Sequence, residues 1–145
     1  MPTAVNIVLA DAAATPVSHT FVPLGPDPKG TFWFQDQSQP SAIGFWMISV
    51  RLQRPPLAQP GISSDDRINR VEIGLHEPVL ANITNSTVTG VLPAPQIAYT
   101  IRGLTQYVMA ERSALLDRQN IRKMNMNLQN DAQIIAVVEQ LQMLR

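Results

Sequence analysis

The sequence contains no cysteine. Disulfide scaffolds, cysteine-ligated zinc sites and thiol nucleophiles are therefore excluded together. Charge is scarce. Asp, Glu, Lys and Arg make up 15% of the 145 residues, against roughly 25% in an average soluble domain. The 11 basic residues balance the 11 acidic ones, and no block of like charge occurs that could act as a polyanion-binding tail. A local stripe of arginines inside a neutral chain remains open to nucleic acid. No apolar run approaches the ~20 residues of a membrane helix. The start, Met1 to Ala14, lacks a basic segment, and Ile7-Val8-Leu9-Ala10 is broken by Asp11, so no leader peptide is expected. These absences predict a cytoplasmic product without a membrane partner.

What is present is an ordinary apolar content of 45%, enough for one domain with a real core. With so little charge, the surface must be covered by Ala, Gln, Asn, Ser and Thr, or be partly hidden against copies of the same chain. Proline divides the sequence. All 12 prolines lie at or before Pro95, and proline is excluded from helix interiors because it lacks an N–H and clashes with the preceding turn.

The proline-punctuated part reads as short strands. Val5 to Ala10 and Ser18 to Leu24 form the first pair, closed by the turn from Gly25 to Gly30. Thr31 to Gln35 is an aromatic third strand. Gly44 to Arg54 alternates most clearly, with Trp46, Ile48, Val50 and Leu52 opposite Met47, Ser49, Arg51 and Gln53. Leu57 to Asp66 is a loop by its Pro, Gly, Ser and Asp content; its Asp65-Asp66 could touch a metal ion, and turn chemistry explains the pair equally well. Ile68 to Glu77 alternates again, with Asn69, Val71, Ile73 and Leu75 opposite Arg70, Glu72, Gly74 and His76, and Val79 to Ile83 can extend it. Asn82 to Pro95 is a long polar loop. Gln96 to Val108 is the last strand, with Ile97, Tyr99 and Ile101 facing away from Ala98, Thr100 and Arg102, and Gly103 is expected to interrupt it as a bulge.

From Ala110 the period changes from two to about 3.6. Ala114, Leu115, Ile121, Met124 and Leu128 form one stripe, with Arg112, Arg118, Arg122 and Lys123 outside it among Glu111 and Asp117. Asn130-Asp131 stops this helix and caps a second, carrying Ile134, Val137, Val138, Leu141 and Leu144. Strands followed by two helices make an α+β layout. Two short helices are meagre cover for five or six strands, which predicts that they pack partly on another copy.

The stretch Leu104-Thr105-Gln106-Tyr107, running through Glu111-Arg112 into a charged helix and ending in Ile134-Ile135-Ala136-Val137-Val138-Glu139-Gln140-Leu141, resembles the C-terminal third of coat proteins from single-stranded RNA bacteriophages of the levivirus type. Ala4 to Asp11 suits that family's first hairpin strand, and the layout matches over nearly the whole chain. The resemblance implies a single coat domain over residues 1–145: an N-terminal hairpin (1–24), a sheet with a five-stranded antiparallel meander (30–108) and two helices (110–145). It also implies an interlocked homodimer, each helix pair lying across the partner's sheet, and an icosahedral shell around the single-stranded RNA genome. The product would then reside in the virion, and in the host bacterial cytoplasm during assembly. In several members the dimer also binds an RNA hairpin and represses translation, using a lysine on a central strand and a tyrosine facing the RNA. Here the sheet has no such lysine, and Tyr99 falls on the apolar parity. Genome packaging needs only a modest positive face.

The residues assigned to RNA are Ser49, Arg51, Gln53, Arg70, Glu72, Thr100 and Arg102, because the planar guanidinium matches phosphate and such contacts position RNA without reading its sequence. The competing reading is a solvated face held by cross-strand pairs such as Arg51 or Arg70 with Glu72. Trp33, Trp46, Phe32, Phe34 and Phe45 could stack unpaired bases, but most are expected in the core or a dimer interface, since aromatics carry large burial. His19 and His76 lack metal-ligand spacing and suit surface or interface hydrogen bonding. No nucleophile elbow, phosphate-cradling loop or matched carboxylate pair is present, so no enzymatic activity, metal or cofactor is expected. Two rival functions stay open: a small cytosolic RNA- or ligand-binding module that builds no shell, and an enzyme centred on His76, Glu72 and Arg70.

Overall fold

The computed structural model describes residues 3–63, 65, 67–82 and 93–144. Six strands lie in chain order in one sheet: β1 (Ile7–Ala10), β2 (Ser18–Pro26), β3 (Thr31–Asp36), β4 (Trp46–Gln53), β5 (Ile68–Leu80) and β6 (Ile97–Ala110). Two helices follow, α1 (Leu115–Gln129) and α2 (Ala132–Gln140). The hairpin, the meander and the pair of helices agree with the fold expected from the sequence. Most of the predicted polar loop Asn82 to Pro95 lies outside the described residues.

Turn chemistry sets the strand ends. Between β2 and β3, Gly25 and Gly30 adopt φ of 117° and 79°, a region that residues with a Cβ enter at a cost. Asp27 fixes the turn by accepting from the Lys29 and Thr31 amides at 2.9 and 2.8 Å. Strand β2 serves two partners in succession. Residues from Ser18 to Phe21 pair with β1, and those from Val22 to Pro26 pair with β3, with a register shift between Pro23 and Gly25. Pro23 and Pro26 are tolerated because this second half has no β1 neighbour to receive an N–H.

The register puts Phe34 opposite Ile48 and Ile48 opposite Leu75. Phe21, Phe34 and Ile48 are the buried apolar residues among those described, with Ile7, Phe32, Trp46 and Val50 packed against them. The predicted parity of β4 is therefore the observed one. β6 corrects one expectation, because it runs unbroken through Gly103. Arg102, Leu104 and Gln106 all meet β5 residues of one face, so the alternation is not interrupted there.

Two further boundaries differ from the sequence reading. The first helix starts at Leu115, because Asp117 accepts from the Ala114 amide at 3.3 Å and caps the helix there. The second ends at Gln140, and Leu141 turns left-handed at φ 55°, so Leu141 and Leu144 are not on its stripe. Asp131 caps this helix as expected, accepting from the Gln133 amide at 2.9 Å.

The chain forms two compact units, Met1–Arg54 with Asn69–Val108, and Pro55–Ile68 with Met109–Arg145. In the second, Arg67 pairs with Glu111 and donates to the Pro56 carbonyl, while Arg112 pairs with Asp65 at 2.7 Å. These bonds fix the loop after β4 to the segment before α1. Neither helix buries a residue, and Leu115, Leu116, Met124 and Val138 are each more than half exposed. No described helix is long and apolar enough to cross a membrane.

Candidate nucleic-acid interface

The face of the sheet opposite the core is built by the intervening positions of the same strands. Register aligns Trp33, Ser49 and Gly74 across β3, β4 and β5, and beside them Thr31, Arg51 and Glu72. Together with His76, Leu104 and Gln106 they line a shallow recess of about 480 Å³. Gly74 makes the recess possible. A Cβ at that position would lie 2.6 Å from Ser49 Oγ, 2.8 Å from His76 Nε2 and 3.0 Å from Leu104 Cδ2.

The polar groups around Gly74 form one network. Ser49 Oγ and His76 Nε2 share a hydrogen bond of 2.9 Å. The His76 ring tilts against Trp33 with centroids 5.6 Å apart, and the Trp33 indole donates to Asp27 Oδ2 at 3.2 Å. Glu72 accepts from Gln106 at 3.0 Å and faces the Arg51 guanidinium at 4.0 Å. Burial pushes the His76 imidazole below its ordinary range, and the Arg102 charge pushes it the same way. His76 is thus held neutral at physiological pH, leaving Arg51, Arg70 and Arg102 as the cations of this face. Neutral donors, an aromatic edge and spaced guanidinium groups suit a phosphodiester chain carrying unpaired bases.

The profile of the levivirus coat protein family matches residues 2–144. The chain belongs to the levivirus coat protein family. Solved structures agree over most or nearly all of the length. A chain of the virus-like particle of bacteriophage ESE058 is 41% identical, with a TM-score of 0.91 and coverage of 99% of this chain and 100% of that one. For the virus-like particle of bacteriophage NT-214 the identity is 23%, the TM-score 0.80 and the coverage 99% and 100%. The capsid protein of bacteriophage GA aligns at 19% identity and a TM-score of 0.64, covering 93% of each chain. Among curated protein sequences nothing matches. The protein is thus a capsid subunit, a structural protein of a phage particle.

In this coat protein the seven residues assigned to RNA are only partly gathered. Ser49, Arg51 and Glu72 border the recess. Gln53 sits opposite Arg70 in the ladder, further along the same face. Arg102 reaches the recess through its charge on His76, whereas Thr100 is exposed on β6 beyond it. Glu72 serves Arg51 and Gln106, so its part is to orient its neighbours, as the cross-strand pairing anticipated.

Trp33 belongs to this face, where the base-stacking reading of the aromatics has room for it and the favoured core reading does not. Phe32, Phe34 and Trp46 do belong to the core, but Trp33 lies between Phe32 and Phe34 and must point the other way. Strict strand alternation was the signal that could have found it.

Proposed function

We propose that this coat protein forms an interlocked homodimer, assembles into an icosahedral shell and packages single-stranded RNA against the recessed polar face of its sheet. The observation that carries this reading is the unfinished core: Phe21, Phe34 and Ile48 are the buried apolar residues described, while Ile73, Leu75 and the helical Leu115, Ile121, Met124 and Val138 stay exposed. A chain of this size cannot offset its conformational entropy with so little burial. The missing cover is a second copy, each protomer's helices completing the other's sheet, through an obligate interface above ~2,000 Å².

Arg51, Arg70 and Arg102 hold the genome by phosphate contact. Without a lysine on the sheet, and with Tyr99 on the opposite parity of β6, binding tolerates sequence, and repression through one hairpin is at most weak. The protein works by association alone, without catalysis, and assembles in the host cytoplasm.

The test is size-exclusion chromatography with light scattering and a 260/280 nm absorbance ratio on protein expressed in bacteria. Particles in the megadalton range with high 260 nm absorbance are expected. A monomer of 16.0 kDa, or a dimer free of nucleic acid that persists with added RNA, would instead support a binding module. Removal of residues 131–145 should abolish soluble dimer, and its survival would sink the interlocked arrangement.

A further inference from the structure

On the core side, where β1 ends, the other histidine sits in a different setting. His19 Nδ1 lies 2.6 Å from Asp36 Oδ2, and Nε2 lies 3.6 Å from Asp11 Oδ2. The ring is stacked on Trp46 with centroids 4.5 Å apart and planes inclined by 15°. Asp36 is 4% exposed and is held by Ser38, whose amide and hydroxyl donate to it at 3.0 and 2.8 Å. Asp11 accepts from the Val17 and Ala13 amides at 2.8 and 3.2 Å through its other oxygen, which closes the turn between β1 and β2. His19, Asp11 and Trp46 border a second recess, on the core side, which Glu77 of β5 lines alongside Leu9, Phe21 and Leu75.

Both ring nitrogens therefore face carboxylates. A neutral imidazole has one N–H and one lone pair, and in either tautomer it would set the lone pair against an anion. Only the imidazolium suits both contacts, and the indole face of Trp46 favours a cation above it. The carboxylates are themselves held ionised. Backbone amides, Val17 first, lower the Asp11 carboxyl. For Asp36 burial works upward, but the hydrogen bonds from His19 and Ser38 together leave it below its ordinary range.

The position of this cluster matters. β1 pairs only with the first half of β2, and β3 only with the second, so the N-terminal hairpin joins the sheet through one continuous strand with its pairing partners changing between Phe21 and Val22. His19 bridges that change, tying the turn residue Asp11 to Asp36 at the end of β3. We propose that His19 is a protonated latch, which tightens the attachment of the β1–β2 hairpin to the sheet at neutral pH and loosens it when the imidazole loses its proton on the alkaline side, while Phe21 stays in the core. The hydrogen bond to Asp36, opposed by burial and aided by the charges of Asp36 and Asp11, raises the affinity of this ring for its proton.

The experiment uses the full-length protein in whatever assembly it forms. Deuterium exchange at the imidazole C2 position, read by mass spectrometry, reports the titration of each histidine, and His76 is the internal reference. Amide exchange over residues 7–21 is followed in parallel, corrected for its intrinsic pH dependence and compared with β4. The expected result is a His19 midpoint above that of His76 by more than about one pH unit, the ordinary scatter of histidines in folded proteins. Hairpin protection should fall through that same midpoint while β4 is unchanged. A His19 midpoint at or below that of His76, or hairpin protection that stays flat across the His19 titration, overturns the latch. His19→Gln should make hairpin exchange independent of pH. If that variant does not fold, the titration of the unaltered protein still decides.

Discussion

The two histidines sit on strands of the same sheet, and both are partly covered, yet their surroundings drive them in opposite directions. His19 has a carboxylate before each ring nitrogen and an indole beneath it. His76 has a hydroxyl, a tilted indole and the Arg102 charge. Burial opposes charge on both rings. What separates them is the register, which brings anions to one ring and a cation to the other. The core-side face thus draws its ring towards the charged form among acids, whereas the face assigned to RNA draws its imidazole towards the neutral form, beside guanidinium groups of which Arg51 is paired with Glu72.

Breaking the His19 side should have the largest effect. Trp46→Ala removes the stacking partner and part of the core, with an expected loss of about 3–5 kcal/mol in denaturant unfolding. The His76 titration should hardly move. Next comes Gly74→Ala on the other face. The new methyl displaces Ser49 and His76 and should cost about 1–3 kcal/mol, while reducing the RNA content of assembled particles. An unchanged absorbance ratio there would detach the recess from packaging.

The pH dependence of stability should then show the two rings with opposite slopes. His19 binds its proton more tightly when folded, so its contribution is complete below the ordinary histidine pKa and is lost as pH rises through the raised value. His76 binds its proton less tightly when folded, so stability falls as pH drops through the ordinary range towards the lowered value. His19→Gln should flatten only the alkaline limb, and His76→Gln only the acidic one. Equal effects of both variants on one limb would break the comparison.

The smallest effect is expected from Glu72→Gln. Its pair with Arg51 is exposed on both sides and stabilises by less than about 1 kcal/mol. The variant should nevertheless free one guanidinium, steepening the salt dependence of RNA binding by up to about one counterion. A salt slope unchanged from the native protein would mean that Arg51 is not a phosphate contact.

The strands were legible because two local signals agree, proline and glycine at the ends and alternation between them. β4 shows this, with Trp46, Ile48 and Val50 turned to the core as their parity required. β3 was harder, because Phe32, Trp33 and Phe34 are aromatic in succession and hydropathy cannot assign their faces. The helix limits shifted for local reasons of capping at Asp117 and a left-handed Leu141. Ser49, Arg51 and Glu72 could be grouped from strand parity, but their gathering around Gly74 needed the register. The His19 cluster could not be read at all, since Asp11 and Asp36 reach it through a hairpin and a neighbouring strand rather than through sequence spacing.

The strictly sequential strand order has a consequence for how the chain emerges during synthesis. Each strand from β2 to β6 pairs with the one made just before it, so the sheet can grow by successive hairpins without waiting for distant segments, a topology of short loop closures that favours rapid folding. The helices bury none of their own residues and follow all six strands in the chain, so they are made after the sheet. In the proposed dimer, their exposed apolar residues are thus offered to a partner only after the strands of their own sheet have been made.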